Sequence, residues 1–204
     1  MLARFNMTGA KSVENPSTPT KTIVKSDPID RNIPFREAVG SLMYAANTVR
    51  IDIAHAVNRV SRNVADPKNQ DWSDIKRIFR YLTDKQQFCI KYTKNDDGDF
   101  HAFCDADFAG DPKHYSTTGF VIMLGGGPIH WKCQKQALVA LSSTEAELIS
   151  ICSLAKELVW MRNLAMEIGV IKIGPTTVYC DNQSAIRIAT DESSVHRTRT
   201  TRKN

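Results

Sequence analysis

The segment SSTEAELISICSLAKELVWMRNLAMEIG, residues 142–169, decides the fold. Leu148, Ile151, Leu154, Ala155, Leu158, Met161, Leu164 and Ala165 recur at three- and four-residue intervals, which predicts one apolar helix face from 144 to about 168. Ser142 or Ser143 is expected to cap its start, and Gly169 to end it. Strand-like runs flank this helix. Upstream they fall at 88–92, 100–108, 117–124 and 129–132, separated by a turn at 95–99 and by Gly125-Gly126-Gly127-Pro128. Downstream, 176–180 reads as a strand and 182–189 as the start of a helix. Short connections favour antiparallel neighbours, whereas a long helix between two strands implies a crossover to a parallel one. The expected architecture is therefore α/β, with a mixed sheet.

Working outward, residues 34–84 change period. Phe35, Val39, Leu42, Met43 and Ala46 share one helix face after Pro34, which suits a first turn. A second helix from about Ile51 turns Ile53, Val57 and Val60 inward until Asp66-Pro67. A third starts near Asp71, a potential cap, and gathers Trp72, Ile75, Ile78, Phe79 and Leu82. Residues 1–33 hold Pro16, Pro19 and Pro28 among Ser, Thr, Lys and Asp without a sustained period, and read as an extended arm. Residues 191–204 read as a basic tail, with Arg197, Arg199, Arg202 and Lys203 and no acid after Glu192; it is either solvated or in contact with phosphate.

Composition narrows the class. The 204 residues are 42% hydrophobic, enough for a sizeable core, and no apolar run approaches the roughly 20 residues that span a bilayer. No secretory leader is visible, so an intracellular protein without membrane partners is expected. Cys89, Cys104, Cys133, Cys152 and Cys180 are scattered without a close pair and read as buried small hydrophobes. The net charge of +5 permits a polyanionic partner without requiring one. His55, His101, His114 and His130 show no catalytic spacing. Trp131, beside Lys132 and Lys135, has core packing and stacking on a nucleobase as its two readings.

Three acids stand out by context: Asp105 inside an apolar strand, Glu147 in the first turns of the long helix, and Asp181 where a strand becomes a helix. Each alone has an ordinary explanation: solvation, complementing the helix dipole, or helix capping. Together they can meet at one edge of the sheet, where carboxylates repel unless hard cations neutralise them. Two Mg²⁺ or Mn²⁺ ions about 4 Å apart are the expected cofactor of such a cluster.

Four ordered blocks carry a resemblance. FCDADFAGD (103–111), STTGF (116–120), LSSTEAE (141–147) and CDNQSA (180–185) resemble the ribonuclease H blocks of copia-type retrotransposon Pol polyproteins. PFREAVGSLMY (34–44) and IFRYL (78–82) resemble the segment that joins reverse transcriptase to ribonuclease H in those polyproteins. The resemblance implies a ribonuclease H-like domain over 85–190, preceded by a helical connection at 34–84. It further implies metal-dependent hydrolysis of the RNA strand of an RNA–DNA hybrid, with Asp105, Glu147 and Asp181 as metal-binding and catalytic acids. Glu147 is preferred to Glu145 as the residue matching the family's position. Asp107 is assigned to the sheet face opposite Asp105, with a surface or turn role.

Ser142, Ser143, Thr144 and Gln183 match positions that contact the hybrid, and capping is their alternative role. The upstream reverse transcriptase is the implied partner domain, and a cytoplasmic particle or the nucleus the implied location. The family's fourth metal-binding acid, expected on a segment after the last helix, has no match among His196–Lys203, so a sheet truncated at its C-terminal side and an impaired activity are expected. The rival readings are an inactive nucleic-acid-binding remnant and a poorly folded fragment.

Overall fold

A computed structural model describes residues 1–17, 26–93, 100–171 and 174–191. The chain divides into two compact units, Met1–Ile90 and Lys91–Asn204. The expected turn at 95–99 and the basic tail beyond Asp191 lie outside the described residues.

In the first unit, α1 (Phe35–Thr48), α2 (Ala54–Ser61) and α3 (Asn69–Asp84) enclose Leu42, Ile53, Val57, Ile75, Ile78 and Phe79, all fully buried. Met43, expected inward, is 42% exposed. At 100° per residue it lies about 80° round the helix from Phe35, at the margin of the line Phe35, Val39, Leu42 and Ala46. α3 starts two residues ahead of the expected Asp71 cap. Asp71 lies in its first turn, where Oδ2 accepts the Lys68 amide at 2.7 Å and Oδ1 accepts Asn63 Nδ2 at 2.7 Å. A carboxylate there reaches back to an orphan backbone donor.

Of the stretch read as an extended arm, the described residues 1–17 and 26–33 include several that pack on this core. Leu2–Phe5 forms a 3-10 turn, Phe5 stacks on Phe79 at 5.0 Å, and Leu2, Met7, Val13 and Ile29 pack against the same core. Arg77 Nε and Arg80 Nε donate to the carbonyls of Asn15 and Lys11, at 3.0 and 2.7 Å. Its apolar residues follow an irregular path, so they leave no period to detect.

The second unit is a four-stranded sheet in the order β3-β2-β1-β4, made of β1 (His101–Asp107), β2 (Thr117–Leu124), β3 (Gly127–Lys135) and β4 (Thr177–Tyr179). β1 and β3 flank β2 antiparallel, and β4 runs parallel to β1 with Phe103 opposite Tyr179. Between β3 and β4 the chain crosses over through α4 (Ser143–Glu167), and α5 (Gln183–Thr190) follows β4. This is the mixed α/β, ribonuclease H-like arrangement expected. Gly125 and Gly126 both have positive φ (62° and 77°), which a tight two-residue hairpin needs, and the ladder extends β3 beyond the expected 129–132.

Residues 88–92 do not form the expected strand. The Tyr92 hydroxyl donates to Pro128 O and the Thr93 amide to Gly125 O, both at 2.8 Å, so the chain is tied to the β2–β3 turn by isolated bonds. A hydrophobic run without a ladder partner stays irregular.

α4 covers one face of the sheet. Leu154 and Leu158 pack on Ala102, Cys104, Phe120 and Ile122. Ala155 and Leu164, expected in the stripe, are exposed, as are Val159 and Trp160. The helix is apolar around much of its circumference, so periodicity alone does not choose its buried line. Complementarity to β1 and β2 does. The cysteine expectation holds for Cys104, which is buried, but Cys89 and Cys152 are exposed.

Leu154→Ala removes a fully buried side chain from this layer. We expect a loss of about 2–5 kcal/mol in urea unfolding followed through the second unit, and a change below 1 kcal/mol would contradict the packing described.

Candidate metal centre

β1 alternates strictly: Ala102 and Cys104 face α4, while His101, Phe103 and Asp105 face away, and Asp105 is exposed. Asp107, two residues on, shares the face of Asp105, contrary to the expectation that it takes the opposite one; residues i and i+2 of a strand point the same way. A different contact separates the two acids. The carboxylate of Asp107, the last residue of β1, folds over Gly110 in the loop that follows, where any Cβ would collide with it.

The start of α4 divides its two acids in the same manner. The Glu145 amide donates to Ser142 Oγ at 3.1 Å, and the Glu145 carboxylate accepts the Leu141 amide at 2.7 Å. Ser142 and Glu145 together cap the helix. Ser143 is exposed and Thr144 half-buried in the same turn. Glu147 turns inward and is 5% exposed, with its Oε1 accepting the Ala106 amide at 3.1 Å. That amide also donates to Asp105 Oδ1 at 2.8 Å, so one backbone donor is shared between two carboxylates.

At the end of β4, Asn182 caps α5 by accepting the Ala185 amide at 2.9 Å. Asp181 is therefore not the cap, and Gln183 is exposed at the first helical position. The donor atoms of Glu147, Cys180 and Asp181 all lie within 4.8 Å of one another, and Asp105 lies outside this tight set. Cys180 is the member that sequence reading missed. Parallel pairing of β4 with β1 ends at Phe103–Tyr179, the residues just before Cys104 and Cys180, a relation invisible before the register is known.

The electrostatics are those of an unneutralised cluster. Burial raises the Glu147 pKa, the Ala106 amide offsets part of the rise, and the negative charges of Asp105 and Asp181 add to it. The neighbouring Cys104 thiol is pushed up to about 12, first by burial and then by Cys180, with Glu147 and Asp105 adding to the rise. Among the described residues no Lys or Arg forms an ion pair with Asp105, Glu147 or Asp181. A buried carboxylate facing two others and lacking a counter-cation fits a divalent cation with oxygen ligands. Glu147 and Asp181 would hold such an ion, and Asp105 would join them once its carboxylate leaves the Ala106 amide.

His130 and His101 of the second unit have other neighbours. His130 faces Glu157 on α4, with Nε2 3.8 Å from the carboxylate, and His101 packs edge-on to Phe103 and Tyr179. Trp131 is half-buried on β3, paired with Val121.

A ribonuclease H-like sheet carrying an acidic edge defines the class. Comparison with known proteins then gives the lineage. The chain is 39% identical over 91% of its length to the Retrovirus-related Pol polyprotein from transposon RE2 of Arabidopsis thaliana. It is 37% identical over 98% of its length to the corresponding protein from transposon TNT 1-94 of Nicotiana tabacum. The chain is thus a homologue of retrotransposon Pol polyproteins, and it spans 13% and 15% of the length of these two relatives. A protein named Secreted RxLR effector protein 161, from Plasmopara viticola, is 37% identical over 64% of the chain and is matched over 93% of its own length. No family model and no solved structure matches the chain.

The raised Glu147 pKa carries a pH signature. For an acid whose pKa is higher folded than unfolded, its contribution is fully present below the unfolded value and is lost as pH rises through the folded one. Without added metal, stability should therefore fall as pH rises above about 4.3. Glu147→Gln should flatten this slope and be at least as stable as the parent at neutral pH. Urea unfolding across that range checks it, and an unchanged slope would refute the assignment.

Proposed function

We propose that the second unit is a metal-dependent nuclease domain of the ribonuclease H type, acting on the RNA strand of an RNA–DNA hybrid. The observation that carries this reading is the buried Glu147 facing Asp105 and Asp181 with no counter-cation among the described residues. The homology to Pol polyproteins supports it, because reverse transcription produces such hybrids.

Bound Mg²⁺ or Mn²⁺ would supply charge neutralisation at the scissile phosphate and an activated water. The residues of the chain bring the ligands together. β1 carries Asp105 on its open face, α4 holds Glu147 rigidly against the Ala106 amide, and β4 delivers Asp181 free of capping duty. Ser143, Thr144 and Gln183 lie in the first turns of α4 and α5, where a phosphate backbone would meet backbone N–H groups and hydroxyls. Recognition would follow the shape of the hybrid and its phosphates. An upstream reverse transcriptase, as in a Pol polyprotein, would deliver the substrate, in a cytoplasmic particle or the nucleus.

The test is incubation of the chain with a labelled RNA–DNA hybrid and Mn²⁺, recording binding and cleavage together. Cleavage is expected, with Asp105→Asn lowering it by at least about 100-fold, the scale on which loss of one charge-stabilising group is felt. Salt-sensitive binding without turnover at any metal concentration would replace the nuclease reading with that of an inactive nucleic-acid-binding module.

A further inference from the structure

We propose that Glu147, Cys180 and Asp181 form a site for a thiophilic divalent cation, zinc or cadmium, that enters through the Cys180 sulfur and occupies the carboxylates assigned above to a hard ion. The site deepens the nuclease reading by adding a metal that would block it. Binding itself needs no nuclease activity.

The geometry carries the argument. Cys180 Sγ is 3.8 Å from Glu147 Oε2. Around a tetrahedral zinc, with a Zn–S bond of about 2.3 Å and a Zn–O bond of about 2.1 Å, the sulfur and oxygen ligands stand about 3.6 Å apart. All three donor atoms already lie within 4.8 Å of one another, so a chelate closes with small side-chain adjustments. Glu147 is buried and, among the described residues, forms no ion pair with a Lys or Arg, which makes a positive charge favourable there independently of the thiol. Asp181 and Cys180 are neighbours at the end of β4, and α5 begins with its own cap, so neither is needed to hold the helix. Cys104 stays out of the set, with its thiol donating to Tyr179 O at 3.7 Å.

The donor set also sets the preference. Magnesium and calcium take oxygen ligands, whereas thiolate selects zinc and softer ions. On binding, the Cys180 S–H bond breaks, the sulfur–metal bond forms, and the proton passes to solvent.

The decisive experiment titrates the full chain with Cd²⁺ and follows sulfur-to-cadmium charge-transfer absorption in the ultraviolet. A band saturating at one ion per chain is expected, undiminished by excess Mg²⁺. Cys180→Ser should remove it, Asp181→Asn should weaken binding by at least the ~10-fold that even outer ligand-shell changes cost, and Cys152→Ser should leave it intact. Far-ultraviolet circular dichroism establishes that each variant is folded, and Asp181 is exposed, so its variant serves even where the cysteine variant misfolds. Absence of the band in the parent chain, or the same band and affinity in Cys180→Ser or Asp181→Asn, overturns the proposal. Cadmium binding in a chain that cleaves no hybrid would leave this site standing and refute the nuclease reading alone.

Discussion

The second unit depends on how the first turns of α4 are seated on the β1–β2 pair. Ser150, completely buried, directs its hydroxyl to two carbonyls, Asp105 O at 2.8 Å and Gly119 O at 3.2 Å, on strands that pair at those same residues. One turn earlier, Glu147 accepts the Ala106 amide. Gln136 adds a third tie, donating to Thr118 Oγ1 and to Ala146 O at 3.1 and 2.9 Å. These bonds satisfy polar groups that burial would otherwise leave costly, and they fix the helix in register as well as in place.

A consequence of that seating is an electrostatic debt. Glu145 lies on the exposed side of the first turn of α4, where its carboxylate helps cap the helix. Glu147 is carried inward instead, towards Asp105 and Asp181, and its carboxyl group becomes harder to ionise. Structures retain such arrangements at functional sites more often than chance, because clustered like charges are unfavourable until a cation arrives. The separation of duties at both helix starts is consistent with this. Ser142 with Glu145, and Asn182 alone, do the capping and leave Glu147 and Asp181 without a structural task at the helix ends.

The first unit rests on a simpler constraint, the enclosure of Ile75, Ile78 and Phe79 of α3 by α1 and α2. The N-terminal segment finishes that enclosure, with Phe5 stacked on Phe79. The pairing of Pro28 with Lys68 and the bond from the Asn69 amide to Asp27 O tie a later part of the segment to the start of α3.

The sequence by itself determined the elements with strong local patterns. Periodicity located α4 and the three helices of the first unit, strand-like runs located β1 and β2, and the crossover argument gave a mixed sheet with a parallel strand after α4. It singled out Asp105 inside an apolar strand, Glu147 in the first turns of the long helix and Asp181 at a strand-to-helix junction, and the family resemblance chose Glu147 over Glu145. Tertiary structure alone decided the rest, since each remaining question concerned which surface meets which. The buried line of α4 was set by the shape of β1 and β2, and the irregular course of 88–92 by the absence of a ladder partner. The anchoring of the N-terminal segment was set by the groove over Phe79. Cys180 joined the acids through the parallel register of β4 on β1, which brings together residues far apart in the chain, where no sequence period reaches.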